Sequence, residues 1–182
     1  LKNVHYSKAT YNESDDSWGY ATPVELKGAQ EFSSDLIGGS SSVYADDQVV
    51  ATLNQNAGRT ITLKLTEITD EFKTDILGYK KAENGNLVEI TNAEPTTFAL
   101  GFEFQGDKKA RRVWFYLCTC APINESTKSK TESVEANSIS LTITARPIAI
   151  DDNNSTTHVT ASKGDANYDT FLTTAPSLPV IK

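Results

Sequence analysis

Alternation of apolar and polar residues carries most of the information in this chain. Phe98, Leu100, Phe102 and Phe104 alternate with Ala99, Gly101, Glu103 and Gln105, the period of two that defines a strand. Gly106-Asp107-Lys108-Lys109 follows as a turn, and 112–121 returns as a nearly continuous aromatic and β-branched run. Pairing Gln105 with Ala110 predicts Phe102 opposite Val113, Leu100 opposite Phe115 and Phe98 opposite Leu117, all on one core face. The same register sets Gly101 beside Trp114, Ala99 beside Tyr116 and Glu103 beside Arg112. Small residues next to large aromatics predict that this second face is covered as well.

Similar reading predicts strands over 4–9, 31–37, 43–53, 59–67, 87–90, 139–144 and 156–162, with turns at 38–42, 54–58, Asn84-Gly85-Asn86 and 151–154. Within 59–67, Ile61, Leu63 and Leu65 face one way and Thr60, Thr62, Lys64 and Thr66 the other. Ile139, Leu141 and Ile143 alternate in the same manner with Ser140, Thr142 and Thr144. At 69–78 the period becomes helical, with Thr69 or Asp70 as N-cap, acidic residues in the first turn and Gly78 as the stop. Phe72 and Ile76 share one face, and the helix is expected to cover Trp114 and Tyr116. Segment 124–135 reads as a polar loop and 165–172 as a helical turn. The pattern predicts a mainly β protein: one sandwich or barrel-like domain over 1–172 with one short flanking helix. An extended arm over 173–182 follows, in which Pro176 and Pro179 exclude helix and central strand.

Composition narrows the function classes. Net charge is −7 and the pI about 4.8, which argues against a surface that holds phosphate. No apolar run approaches the roughly 20 residues of a membrane helix. Met is absent, so translation is expected to begin upstream of Leu1. Cys118 and Cys120 share a strand face, and residues two apart on a strand lie roughly 6.5 to 7 Å from each other, beyond comfortable disulfide reach. They read as small buried residues in a reducing compartment. Asp46-Asp47 and Asp151-Asp152-Asn153 lack the spacing of a Ca²⁺ loop. No nucleophile elbow, zinc helix motif or phosphate loop occurs, so neither an enzyme nor a cofactor or metal site is expected.

Several ordered stretches resemble the major tail proteins (tail tube proteins) of long, non-contractile-tailed phages of Gram-positive bacteria. They are Lys2-Asn3-Val4-His5-Tyr6, Tyr-Ala-Thr-Pro-Val-Glu-Leu-Lys-Gly-Ala over 20–29, and Tyr44-Ala45-Asp46-Asp47. They continue with Asp-Glu-Phe-Lys-Thr-Asp-Ile-Leu-Gly over 70–78, Glu94-Pro95 with Phe-Ala-Leu-Gly-Phe-Glu-Phe over 98–104, Gly106-Asp107-Lys108-Lys109, and Leu-Thr-Ile-Thr-Ala-Arg-Pro over 141–147. The resemblance implies a β-sandwich with a flanking helix, assembled as rings of six that stack into a virion tail tube through which the genome passes. Implied partners are further copies of the chain, a tape-measure protein, a tail terminator and distal tail proteins, with assembly in the host cytoplasm and only transient, non-specific passage of DNA. An acidic wall suits a conduit, because it repels phosphate within roughly one Debye length, about 8 Å at physiological salt.

Within that reading the polar rows Thr60, Thr62, Lys64, Thr66 and Ser140, Thr142, Thr144 line the lumen or form the outer solvent face. Segment 38–56, with Asp46, Asp47 and Val49, and the terminus with Pro176 and Pro179 are candidate contacts to neighbouring subunits. Phe98, Leu100, Phe102, Val113, Phe115 and Leu117 are the expected hairpin core. Two other classes compete: a non-enzymatic β-sandwich binding module of adhesin or receptor-binding type, and a barrel that carries a small ligand.

Overall fold

The computed structural model describes residues 1–45, 48–123 and 138–181, and for 40–45 and 48–54 the backbone alone. In chain order the elements are β1 (Lys2–Asn12), β2 (Ser17–Tyr20), β3 (Val24–Glu25), β4 (Ala29–Ala45), β5 (Gln48–Leu65), α1 (Asp70–Asp75), β6 (Lys80–Lys81) and β7 (Leu87–Val88). Then come β8 (Phe98–Glu103), β9 (Arg112–Cys120), β10 (Ile139–Arg146), β11 (Ile148–Ala149), β12 (Ser155–Thr156) and β13 (His158–Ala161). The protein is mainly β, as its alternation predicts.

One antiparallel sheet dominates, in the order β2-β1-β8-β9-β10-β5-β4, with β3 added to β1 and β13 to β9. Strand β9 is where it divides. Its first half pairs with β13 (Arg112↔Ala161 to Phe115↔His158), and its second half with β10 (Leu117↔Arg146 to Cys120↔Ile143). Beyond that fork the sheet curls over itself. Phe32 of β4 meets Phe102 of β8 at 4.3 Å between ring centroids, although β9, β10 and β5 stand between their strands. The β4–β5–β10 flap thus packs on β1–β8–β9 as a second layer, giving a sandwich-like fold. Between the layers lie Val4, Tyr6, Ile61, Leu63, Leu65, Phe98, Leu100, Phe102, Val113, Phe115, Leu141 and Ile143, all buried.

The central hairpin keeps the expected pairs Leu100↔Phe115, Gly101↔Trp114, Phe102↔Val113 and Glu103↔Arg112. It then departs from expectation. Phe98 pairs with Cys118, not Leu117, because β9 carries one extra residue between Phe115 and Cys118. Such a bulge turns every later side chain to the other face. Cys118 and Cys120 therefore join the main core, while Leu117 is buried on the opposite face with Tyr116 and Ile148.

Helix α1 is capped by Thr69, whose hydroxyl accepts from the Phe72 amide, and Gly78 follows at φ 75, a conformation open to glycine. Its Phe72 packs edge-on against Tyr6 at 5.1 Å and Phe98 at 5.8 Å. The helix therefore closes the main core, and the expectation that it covers Trp114 and Tyr116 is corrected. The cover comes from the C-terminal segment. Leu172 and Phe171 pack on Trp114 and Ala99, and Leu178 on the Tyr116 cluster. The Trp114 indole Nε1–H donates to the Phe171 carbonyl (2.6 Å), and the Tyr116 hydroxyl to the Ser177 carbonyl (2.9 Å). An arm without regular structure is thus held by bonds to its backbone, which its own sequence does not advertise.

Two expected turns are absent. Segments 38–42 and 54–58 run as strand within β4 and β5, paired from Gly38↔Asn56 onward. Gly, Ser and Asn read locally as turn formers, yet cross-strand pairing satisfies their backbone, and bulges at Ile37/Gly38 and Val43/Tyr44 absorb the irregularity. The expected loop 124–135 lies outside the described residues.

Candidate functional site, a polar sheet face and a projecting hairpin

The chemistry of the two cysteines is quiet. Both are free, and burial pushes their thiols well above the usual value, Cys120 to about 12. Native protein is expected to react with a thiol reagent only as fast as it unfolds; labelling of either cysteine within the mixing time would contradict the placement. Among the described residues no cluster of His, Cys, Asp and Glu is arranged to hold a metal ion. A cavity of about 190 Å³ lies beside Leu77, Ile90, Pro95, Cys120 and Pro122. That is below the roughly 300 to 1,000 Å³ of sites that enclose a small ligand; the adjoining space of about 420 Å³ beside Lys73, Tyr79, Leu87, Glu89 and Ile123 is of that size but more open to solvent.

What the fold does assemble is a polar face. The residues singled out on β5 and β10 stand directly opposite one another: Thr60↔Thr144, Thr62↔Thr142 and Lys64↔Ser140. Their partners Ile61, Leu63, Leu141 and Ile143 point into the core, so the alternation itself turns these residues outward. Thr66 does not join the rows. It lies one residue past β5, where its amide donates to the Gly28 carbonyl at 2.9 Å.

Sequence reading missed how far the face extends. On β4, Glu31 pairs with Lys64, Ser33 with Thr62 and Asp35 with Thr60, and on β9 Thr119 pairs with Thr144. The signal was present in β4, where Glu31, Ser33 and Asp35 alternate with Phe32, Ser34 and Leu36. The result is three or four strands of short hydroxyl side chains, at roughly 4.8 Å between strands. Its lysine, Lys64, is engaged by Glu31 at 2.5 Å. Both partners are exposed, so the pair is worth at most about 1 kcal/mol. It neutralises the lysine, and with Asp35 in the same row the face is mildly acidic.

The same strands continue past the sandwich. Strand β10 accompanies β5 only from Leu65 to Arg59, whereas β4 and β5 stay paired to Ala45↔Gln48. The remaining ribbon is about 25 Å long, at roughly 3.4 Å per residue. Two-stranded ribbons are marginal alone in water. Strand β4 is also terminal in the sheet, so its outer backbone edge has no partner among the described residues.

The other candidates divide. Val49 pairs with Tyr44 near the ribbon tip, while Asp46 and Asp47 lie outside the described residues. Pro176 is buried against its own chain beside Trp114, and Pro179 is half-buried there. Both prolines thus pack on their own domain. Beyond them Val180 is 92% exposed and Ile181 54%. Tested against models of known protein families and against curated proteins, the chain matches none.

Proposed function

We propose that this is a structural protein that self-assembles into rings stacked as a phage tail tube, with the β4–β5–β10 face toward the bore. One observation carries the reading. A wide, hydroxyl-rich face without a free cation continues into a two-stranded ribbon and ends on an edge strand whose outer side has no partner among the described residues. A closed ring of copies supplies what each part lacks: a partner for the β4 edge and a surface for the ribbon. Short Ser and Thr side chains offer DNA no cationic grip, which fits a conduit that must release its contents. The family resemblance of the sequence supports the same reading, with a tape-measure protein and tail-end proteins as partners.

The test is assembly. Concentrated protein is expected to form rings or tubes visible by electron microscopy. Replacing 39–55 by a short turn is expected to leave a folded monomer that forms neither. Persistent monomers of the intact chain, even when it is co-produced with tail partners, would contradict the proposal.

A further inference from the structure

Charge is unevenly distributed along the strands. The start of β1, the turn between β8 and β9 and the segment after β13 meet at one end of the molecule, where the Lys163 amide donates to the Lys109 carbonyl at 3.0 Å. Lys2, Lys108, Lys109 and Lys163 are exposed there. Lys2 is already paired, with Glu103 at 2.8 Å, and Asp165 is exposed two residues from Lys163, where it accepts from the Ser162 amide; the surplus rests on Lys108, Lys109 and Lys163. Asp107 accepts from the Lys109 and Arg111 amides and from the Arg111 guanidinium, and Glu103 is 3% exposed and bonded to Arg112. The turn is also fixed in place, since the Tyr168 hydroxyl donates to the Ala110 carbonyl at 2.7 Å. A chain of net charge −7 thus presents a rigid basic end.

The opposite end of the same strands is acidic. It holds the β1–β2 turn with Asp15 and Asp16 and the segment before β8 with Glu89 and Glu94, all exposed. Lys80 and Lys81 offset only part of that charge.

We infer that the basic end, Lys108, Lys109 and Lys163, docks on the acidic end of a second copy, head to tail. This rests on the ring reading and names the contact through which one ring stacks on the next. Unlike ends make a heterologous contact that does not close on itself, so it propagates as a stack. Charges at such rims set register and salt dependence, and their reach contracts from about 8 Å at physiological salt to about 3 Å at 1 M.

The experiment uses the full chain and two triple variants, Lys108→Glu/Lys109→Glu/Lys163→Glu and Asp15→Lys/Glu89→Lys/Glu94→Lys. Rings and stacks are counted by electron microscopy and sedimentation across a NaCl series. The parent is expected to need roughly tenfold more protein to stack at high salt than at low salt. Each variant is expected to form single rings without stacks, and a mixture of the two to stack again. Stacking by the basic-end variant at parental concentrations would overturn the inference. So would unchanged stacking combined with lost binding to a duplex DNA oligonucleotide, which would assign the basic end to nucleic acid. If the parent forms no rings, the ring reading fails by itself; sedimentation then reads the same contact directly. Salt-sensitive self-association abolished in each variant and restored in the mixture supports it, and any other result overturns it.

Discussion

Replacing Trp114 by alanine is expected to destabilise the protein by about 3 to 5 kcal/mol, the usual cost of emptying a buried aromatic site. It is also expected to release the C-terminal arm. Trp114 is 1% exposed, touches Ala99 and Leu172, and donates its indole N–H to the Phe171 carbonyl. Its loss leaves that carbonyl without its donor and opens a cavity under the segment that hides the second face of β9. Denaturant melts measure the first effect, and limited proteolysis near Phe171 measures the second. Gly101→Ala probes the same contact from the other strand. A Cβ at Gly101 would lie 2.6 Å from the Trp114 ring, well inside contact distance. The ring is pinned by its hydrogen bond, so overpacking is expected to cost about 3 kcal/mol. Adding Trp114→Leu to Gly101→Ala should recover part of that loss, since the two changes share one space. Additive losses would show that the close approach does not govern stability.

The second large effect is expected at Glu103. Burial alone would raise its carboxyl; hydrogen bonds from Lys2, Asn3 and Arg112 outweigh that and hold it below the usual carboxylate range. The Arg112 guanidinium is itself committed, donating to the Tyr168 carbonyl at 2.5 Å and lying 4.1 Å over the Tyr168 ring. Glu103→Gln leaves that cation without its counter-charge in a nearly buried place, so a loss of about 2 to 3 kcal/mol at pH 7 is expected. Lys2→Ala, at an exposed partner, should cost less than about 1 kcal/mol. A carboxyl depressed in the folded state contributes stability above its unfolded value, about pH 4.3, and loses it as pH falls through the folded value. The difference between parent and Glu103→Gln should therefore be full at pH 7 and shrink as pH drops below about 4. A difference independent of pH would mean that the network acts through shape, not charge.

Much of this was legible in the residues. The alternation in 98–105 and 112–117 placed Leu100 against Phe115 and Trp114 beside Gly101, and both pairs are present. The inward and outward rows of β5 and of β10 each followed from their period of two, but the pairing of the two strands did not. Three features were not legible, each for a physical reason. The bulge after Phe115 follows from tertiary packing and leaves no trace in composition, yet it moves Leu117 to the other face and the cysteines into the core. The C-terminal cover is held by bonds to the Phe171 and Ser177 carbonyls, which any residue types could supply. The long ribbon is written in Gly, Ser and Asn, which locally favour turns and reveal a strand only when the partner strand is known.

The central proposal, a tube whose bore is lined by the β4–β5–β10 face, is tested most directly by the structure of the assembled protein at side-chain resolution. The account predicts stacked rings in which Ser33, Thr62 and Thr142 face the channel and the 38–56 ribbon rests on a neighbouring copy. A tube with that row on its outer wall, or an assembly in which the ribbon touches no neighbour, would contradict it.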